Sequence, residues 1–577
     1  MNVWHLGRKC MNLAGRWQWK IAHSPEARAR EARPLSIEIG VEKAGAFWHQ
    51  FPAMMRWICD MRRHLCLTLL LAILPRLAPG ADSETRPANV PLRYHCAGLA
   101  PLAANTNLAT LHKALTLSSA APVGQLFLSN MSGLLASAWH LEKQPLSSRA
   151  LEPLVDGLLH TESMGAFGGA QANRLDFVLA LRLDEKGPQF WRENAEKAFG
   201  KPGEKFAADA FEGWRWQMNP SELFWMIPAR DWLLLGRGDD LSPARSEYLR
   251  QITSQGRPGA ALTDNWLEAD VDLPQLAVFL PDWLRLFKPG RVRLNITTES
   301  NELSATARIL YPQPIAWESR TWQMPEEFLP GRVNSFTAGQ GIQAFLNLGP
   351  GFSRLDANPL TNQFCLWALG GMPFVTFMAW PAADLTNDLQ KLSTEAAAAF
   401  NPGLQQINGA KLIWQTNWHR LVLANLRVLM PILEGVQDKS GNFLLMSGFP
   451  PPRMKPSAPA EPFRQIGSRT NLVYYDWELT GSRLQDWRLL GRMFLTKQGR
   501  LVTEEATKAM HREEVWLLDL YPHWTGDTVT EVTRVAPDEL CLTRRAPLGF
   551  TGIEIFLLSD WLSMISPSPD ADPSPSP

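Results

Sequence analysis

Trp266-Leu-Glu-Ala-Asp-Val-Asp-Leu273 and Leu472-Val-Tyr-Tyr-Asp-Trp-Glu-Leu479 are the two stretches on which the fold reading turns. In the first, apolar residues alternate with Glu268, Asp270 and Asp272, so the three carboxylates share one face of a β-strand. Asp-Val-Asp-Leu and Asp-Trp-Glu-Leu occupy the same place in the two stretches, and each leads into apolar residues at helical spacing. Leu276, Phe279, Leu280 and Trp283 follow the first; Leu484, Trp487 and Leu490 follow the second. This predicts an internal duplication, with Ala269, Val271, Tyr475 and Trp477 facing inward and Asp270 and Asp476 facing away.

Working outward, a second pair of units supports the same reading. Phe374 to Trp380 is rich in strand formers, Pro381 ends it, and Asp384 can cap a helix carrying Leu385, Leu389, Leu392, Ala396 and Phe400 on one face. Phe177 to Leu183 is followed by Gly187-Pro188 and a helix ending at Phe199-Gly200, with Pro near the start and Gly just past the end. Val292 to Thr297 and Leu303 to Leu310 alternate around Glu299-Ser300-Asn301-Glu302 and predict a hairpin. Such hairpins favour antiparallel pairing over the alternative of parallel βαβ units.

The expected fold class is therefore α+β: two similar domains, each an antiparallel or mixed sheet with helices mainly on one face. The first domain spans 81–315 and the second 333–565, joined by a linker at 316–332 within the aperiodic stretch Tyr311 to Arg332. The proline-rich segment 450–462 reads as a surface loop, and the Ser/Pro run 566–577 as a disordered tail with no side chains to bury.

At the other end, Met61-Arg-Arg-His opens an apolar run from Leu65 to Leu74 that closes on Leu77-Ala-Pro-Gly-Ala81. A positive start, a short apolar middle and small residues at the end make 61–80 a signal peptide. The run is too short for a transmembrane helix, which needs roughly 17 to 25 residues, so no stable membrane anchor is expected after cleavage. Residues 1–60, which precede this signal, read as an over-extended reading frame or a disordered leader. The expected location is extracytoplasmic, periplasmic or secreted.

Composition excludes more than it selects. Lys+Arg and Asp+Glu both number 57, and no dense basic stripe appears, which removes nucleic acid as a partner. After the signal only Cys96, Cys365 and Cys541 remain, too few and too scattered for a disulfide framework. His95, His112, His140, His160, His419, His511 and His523 form no HxxxH or HExxH, so no metal and no cofactor are expected.

Several fragments imitate chemistry. Gly339-Gln-Gly341-Ile-Gln-Ala344 fits a loose dinucleotide pattern, with Asp356 beyond it, but lacks a βαβ repeat and reads as an ordinary glycine turn. Lys439-Ser440-Gly441 resembles the KTG strand of penicillin-binding enzymes, yet the chain has no SxxK and no GxSxG; Asp438 to Asn442 reads as a hairpin turn. Trp214, Trp216 and Met218, from a chain with 24 Trp, read as a buried strand face. No catalytic, cofactor or metal residues are assigned. Glu268, Asp270, Asp272, Asp476 and Glu478 are the carboxylates from which an acid/base pair could be drawn, and the sequence reading puts them on solvated faces of separate domains.

The expected role is that of an exported non-catalytic envelope or secreted protein that binds a partner, protein or small molecule, or joins an assembly. The alternatives are an extracytoplasmic hydrolase with a site assembled from distant residues, and a carrier of apolar or sugar ligands built on Trp-rich strands. If the signal is read correctly, N-terminal sequencing of the exported product finds Ala81 or Asp82. An exported chain still carrying Met1 would overturn the assignment.

Overall fold

Local chemistry makes strands and helices where periodicity predicts them. Ser300, at φ 53°, turns the chain between β9 (Arg291–Glu299) and β10 (Glu302–Leu310), which pair in an unbroken register. Asp384 Oδ1 accepts the backbone N–H groups of Thr386 and Asn387, each at 3.1 Å, and so caps the helix Leu385–Leu404. Gly200, at φ 66°, closes the helix Gly187–Phe199 in the left-handed conformation that only glycine adopts at little cost.

The computed structural model describes residues 90–564, leaving out 139–146, 277–288, 316–320, 342–361, 371–374, 449–465, 498–511 and several shorter stretches. The helix expected at Phe279 to Trp283, the 450–462 loop, the 61–80 signal and the 566–577 tail all lie outside the described residues. Twenty strands are described, and they form one continuous antiparallel sheet. From one edge the order is β4 (Glu204–Ala208), β5 (Phe211–Asn219), β6 (Glu222–Ala229), β7 (Trp232–Arg237), β3 (Arg174–Arg182), β2 (Ser163–Gln171), β1 (Leu92–Cys96), β8 (Asn265–Asp272), β9 and β10. From the other edge it is β14 (Lys411–Gln415), β15 (Arg420–Ala424), β16 (Ile432–Asp438), β17 (Gly441–Ser447), β13 (Thr376–Pro381), β12 (Gln363–Ala368), β11 (Ser335–Gln340), β18 (Leu472–Glu478), β19 (Thr528–Ala536) and β20 (Glu539–Ala546). Strand for strand, the second order repeats the first.

The two runs meet where β10 pairs with β20, from Leu303 opposite Ala546 to Leu310 opposite Glu539. This seam overturns the expected pair of α+β domains with separate sheets. Both edge strands of the separate sheets that the sequence suggests are satisfied by each other, so the backbone has no boundary there. The described residues belong to one unit, His49–Pro577.

The expected facing of the repeated motif fails as well. Register partners project from the same side of a sheet. The row Ala269, Leu294, Ala307, Leu542, Val532, Tyr474 therefore places Asp476 on the face of Ala269, and Tyr475 and Trp477 on the face of Asp270. The cause is a bulge. Counted from their turns, β9–β10 and β19–β20 pair alike until Val535, an extra residue between Arg534 and Ala536 that stands 56% exposed. One inserted residue moves every following side chain to the other face.

Helices cover the two faces unequally. In chain order they are α1 (Leu99–Ala104), α2 (Ala109–Thr116), α3 (Ala120–Ala138), α4 (Ser147–His160), α5 (Gly187–Phe199), α6 (Ser242–Gln255), α7 (Leu385–Leu404), α8 (Thr480–Lys497), α9 (Arg512–Leu520) and α10 (Gly552–Met564). On the face of Ala269, Leu151 and Leu154 of α4 and Trp191 and Phe199 of α5 pack with Tyr94, Phe177 and Leu235. Leu389 and Leu392 of α7 pack on Trp380 and Leu444 of the same face. The opposite face carries α6, through Leu249 and Ile252 against Val178 and Trp225, and the segment with Trp322 and Met324 against Phe336 and Trp367. Among the described residues no helix is long and apolar enough to cross a membrane.

Thr306 is the fifth residue of β10 and faces Thr543, the fifth of β20, across the seam, while Asn295 flanks it on the other side. Thr306→Pro removes ladder bonding at a strand paired on both sides. It is expected to cost about 3 kcal/mol or more in urea unfolding. A loss under about 0.5 kcal/mol would mean that the seam is not a continuous ladder.

Candidate functional site

The acidic residues of β8 stand on the face opposite the α4–α5 layer, each with its own partner. Asp270 forms a two-point pair with the Arg291 guanidinium, which raises the arginine's pKa. Glu268 accepts from the Asn265 amide at 2.5 Å, and Asp272 from the Gln275 amide at 2.7 Å. Among the described residues no three His, Cys, Asp or Glu side chains converge as a metal cage.

Asp476 and Glu478 are placed differently, and the expected solvated face is corrected. They lie on the other side of the sheet, where α8 and α10 begin. Glu478 is 5% exposed, and its Oε1 accepts the backbone N–H of Gly552, the first residue of α10, at 2.6 Å. Its second oxygen is 4.0 Å from Arg483 Nε, and Arg483 Nη1 is 3.9 Å from Asp486 Oδ2, which accepts from Asn334 at 2.8 Å. Asp476 Oδ1 accepts the Thr337 hydroxyl at 2.6 Å. In the same register row, Arg544 donates to both Glu554 oxygens at 3.0 and 2.9 Å and to Thr530 at 3.0 Å.

Burial sets the electrostatics here. It pushes the Glu478 carboxyl up to about 7, with neighbouring Asp476 adding to the rise and the Gly552 N–H and Arg483 opposing it. Burial likewise raises Asp476 and lowers Arg483. A carboxyl near 7 is what a general acid or base needs. One Glu478 oxygen, however, is spent on a helix terminus, and the other stands 4.0 Å from a guanidinium.

The same helix start carries a capping box. Glu554 Oε2 accepts the Thr551 N–H at 2.8 Å, and Thr551 Oγ1 accepts the Glu554 N–H at 3.4 Å. Thr551-Gly-Ile-Glu554 is legible as such in the sequence, and the sequence reading passed over it.

A further cluster joins residues that sequence spacing kept apart. His95 Nε2, on β1, lies 2.8 Å from Glu162 Oε1, and Arg257 Nη2 reaches the same oxygen at 2.6 Å. Arg182 stands 3.7 Å from the other oxygen. The Glu162 carboxyl is held below the usual range, first by its hydrogen bond with His95 and then by the arginines. A carboxylate that orients a histidine is part of a nucleophilic constellation. The adjacent Ser163 cannot complete it, because it pairs with Cys96 and so points to the opposite face from His95. Burial pushes the Cys96 thiol up to about 11 and Cys365 to about 12, away from the reactive thiolate.

The remaining motifs resolve into packing. Gly339 sits inside β11, not in a turn; a Cβ there would lie 2.4 Å from the Phe364 ring, so the glycine is required by that ring. The stretch from Ile342 onward, with Asp356, is outside the described residues. Asp438 to Gly441 turns β16 into β17, with Ser440 N–H bonded to Asp438 Oδ1 at 2.9 Å. Trp216 is 1% exposed, and Trp214 and Met218 pack against its cluster.

The raised Glu478 value has a stability consequence with a definite sign. Between its unfolded value of 4.5 and about 7 the fold binds the extra proton, so this contribution is fully present below 4.5 and lost as pH rises through about 7. The loss is on the order of 3 kcal/mol. Glu478→Gln still accepts the Gly552 N–H but does not titrate, so its urea midpoint should vary less across this window than that of the unaltered protein. Equal pH dependence in the two proteins would assign the titration to another group.

No protein-family model, no curated protein and no solved structure matches this chain, which leaves its own geometry as the guide to its role.

Proposed function

We propose that this chain is an exported, non-catalytic envelope or secreted protein with a binding or assembly role. The observation that carries the reading is the use made of a strongly perturbed carboxylate, Glu478. Glu478 has the pKa of an acid/base catalyst but serves as a fastener, holding the start of α10 to β18. Asp476 and Glu554 are engaged in the same way by Thr337 and Arg544. Trp216, Trp225 and Trp367 weigh against the carrier alternative built on Trp-rich strands, since these three are among the largest fully buried side chains and present no platform to a ligand.

A second reading, an extracytoplasmic hydrolase assembled from distant residues, draws on the His95–Glu162 pair. The test is a screen of the purified protein against esterase, peptidase and glycosidase substrates. No turnover above the buffer rate is expected. Turnover abolished by His95→Ala, Asp270→Asn or Asp476→Asn would replace the binding role with a catalytic one and locate its centre.

A further inference from the structure

An open sheet has two end strands, and each presents a row of backbone N–H and C=O groups on which another strand can add. Among the described residues β4 and β14 pair on one side only, with β5 and β15. The β4 end begins with Glu204 and Lys205, both exposed, and such charges discourage an added strand. The β14 end carries one charge, Lys411, followed by the apolar Leu412-Ile413-Trp414.

Backbone direction in β14 follows from its neighbours. Leu423 gives its N–H to Pro431 O at 2.9 Å, so it faces β16, and Leu412, its register partner, turns its own N–H and C=O away from β15. By alternation Trp414 points its groups the same way. The outward groups of Leu412 are taken by a side chain of α7. Asn401 Oδ1 accepts the Leu412 N–H at 2.6 Å, and Asn401 Nδ2 donates to the Leu412 carbonyl at 3.2 Å. A residue of a neighbouring antiparallel strand exchanges the same two bonds, so one amide side chain fills the place of an added strand.

We propose that Asn401 is an inhibitory contact that keeps β14 from pairing with β14 of a second copy of this chain. A second copy is the occupant because the strand complements itself. Antiparallel pairing about Ile413 sets the outward groups of one copy's Leu412 against those of the other copy's Trp414, a hydrogen-bonded pair made twice. It also places Lys411 opposite Gln415, so no like charges meet. The inference goes beyond the role proposed above and is independent of it, since an unguarded edge would associate whatever the chain binds.

The test is the mass of the purified protein in solution, read by light scattering after size-exclusion chromatography as concentration is raised. The unaltered protein is expected to keep one mass, and Asn401→Ala to rise about twofold as a symmetric dimer forms. Asn401→Ala/Ile413→Lys should keep the unaltered mass, because two lysines then face each other across the dimer axis. Thr394→Ala, at an exposed position of the same helix, should leave the mass unchanged. The unfolding midpoint of each variant is measured alongside; if Asn401→Ala does not fold, Asn401→Asp, of the same shape but unable to donate to the Leu412 carbonyl, is expected to show the rise. A folded Asn401 variant that is less stable but keeps the unaltered mass would make the contact an ordinary tie between helix and strand and overturn the proposal. Association that Ile413→Lys does not suppress, or an unaltered protein that Ile413→Lys alone dissociates, would overturn it as well.

Discussion

The pairing of β10 with β20 is the constraint on which the rest of the architecture depends. Each strand already has a hairpin partner, β9 or β19, and needs a second neighbour to satisfy its other row of backbone groups. Supplying that neighbour from the opposite half of the chain joins two ten-strand runs without a break. It also fixes the relative facing of all twenty strands, because Ala307 and Leu542 must then emerge on the same side. The helical layer follows from that choice: the Ala269 face is rich in apolar residues across the first run, and it receives α4 and α5.

Polar fasteners tie α10 to β18 and β20 beside the seam. The cost of desolvating Asp476, Glu478 and Arg483 outweighs what returns to them: Arg483 favours both carboxylates and the α10 N-terminus offers Glu478 an orphan N–H, yet burial still raises both acids and lowers the arginine. Breaking one member leaves an uncompensated buried charge, so such clusters specify a geometry more than they add net stability. That is why perturbed values at Glu478 point to attachment here. The N-terminal helices are tied to the same region, with Trp516 Nε1 donating to Ala114 O at 2.9 Å and Asn130 to Leu562 O at 3.2 Å.

Much of the local structure was legible in residue order, because its causes are local. The Asp384 cap, the Gly200 C-cap, the β9–β10 hairpin and the Asp438 to Gly441 turn all rest on interactions within a few residues. Asp-Val-Asp-Leu and Asp-Trp-Glu-Leu fall on β8 and β18, each eighth from its own edge of the sheet, but the two strands share one sheet and face oppositely, so the expected pair of duplicated domains does not stand. The opposite facing has its source in Val535, one residue inserted in a hairpin far from either motif. The candidate sites were less legible. His95 and Glu162 are 67 residues apart, and nothing in either neighbourhood announces the other.

The sequence by itself determined the punctuation of this protein: which segments are strands, which helices cap where, and which carboxylates lie on one strand face. Those properties follow from φ preferences, capping groups and the two-residue period of a strand. Tertiary structure alone decided that the two runs form one sheet, and that Asp270 pairs with Arg291 on one face while Glu478 is buried against α10 on the other. Those outcomes depend on long-range register, and a single bulged residue is enough to reverse them.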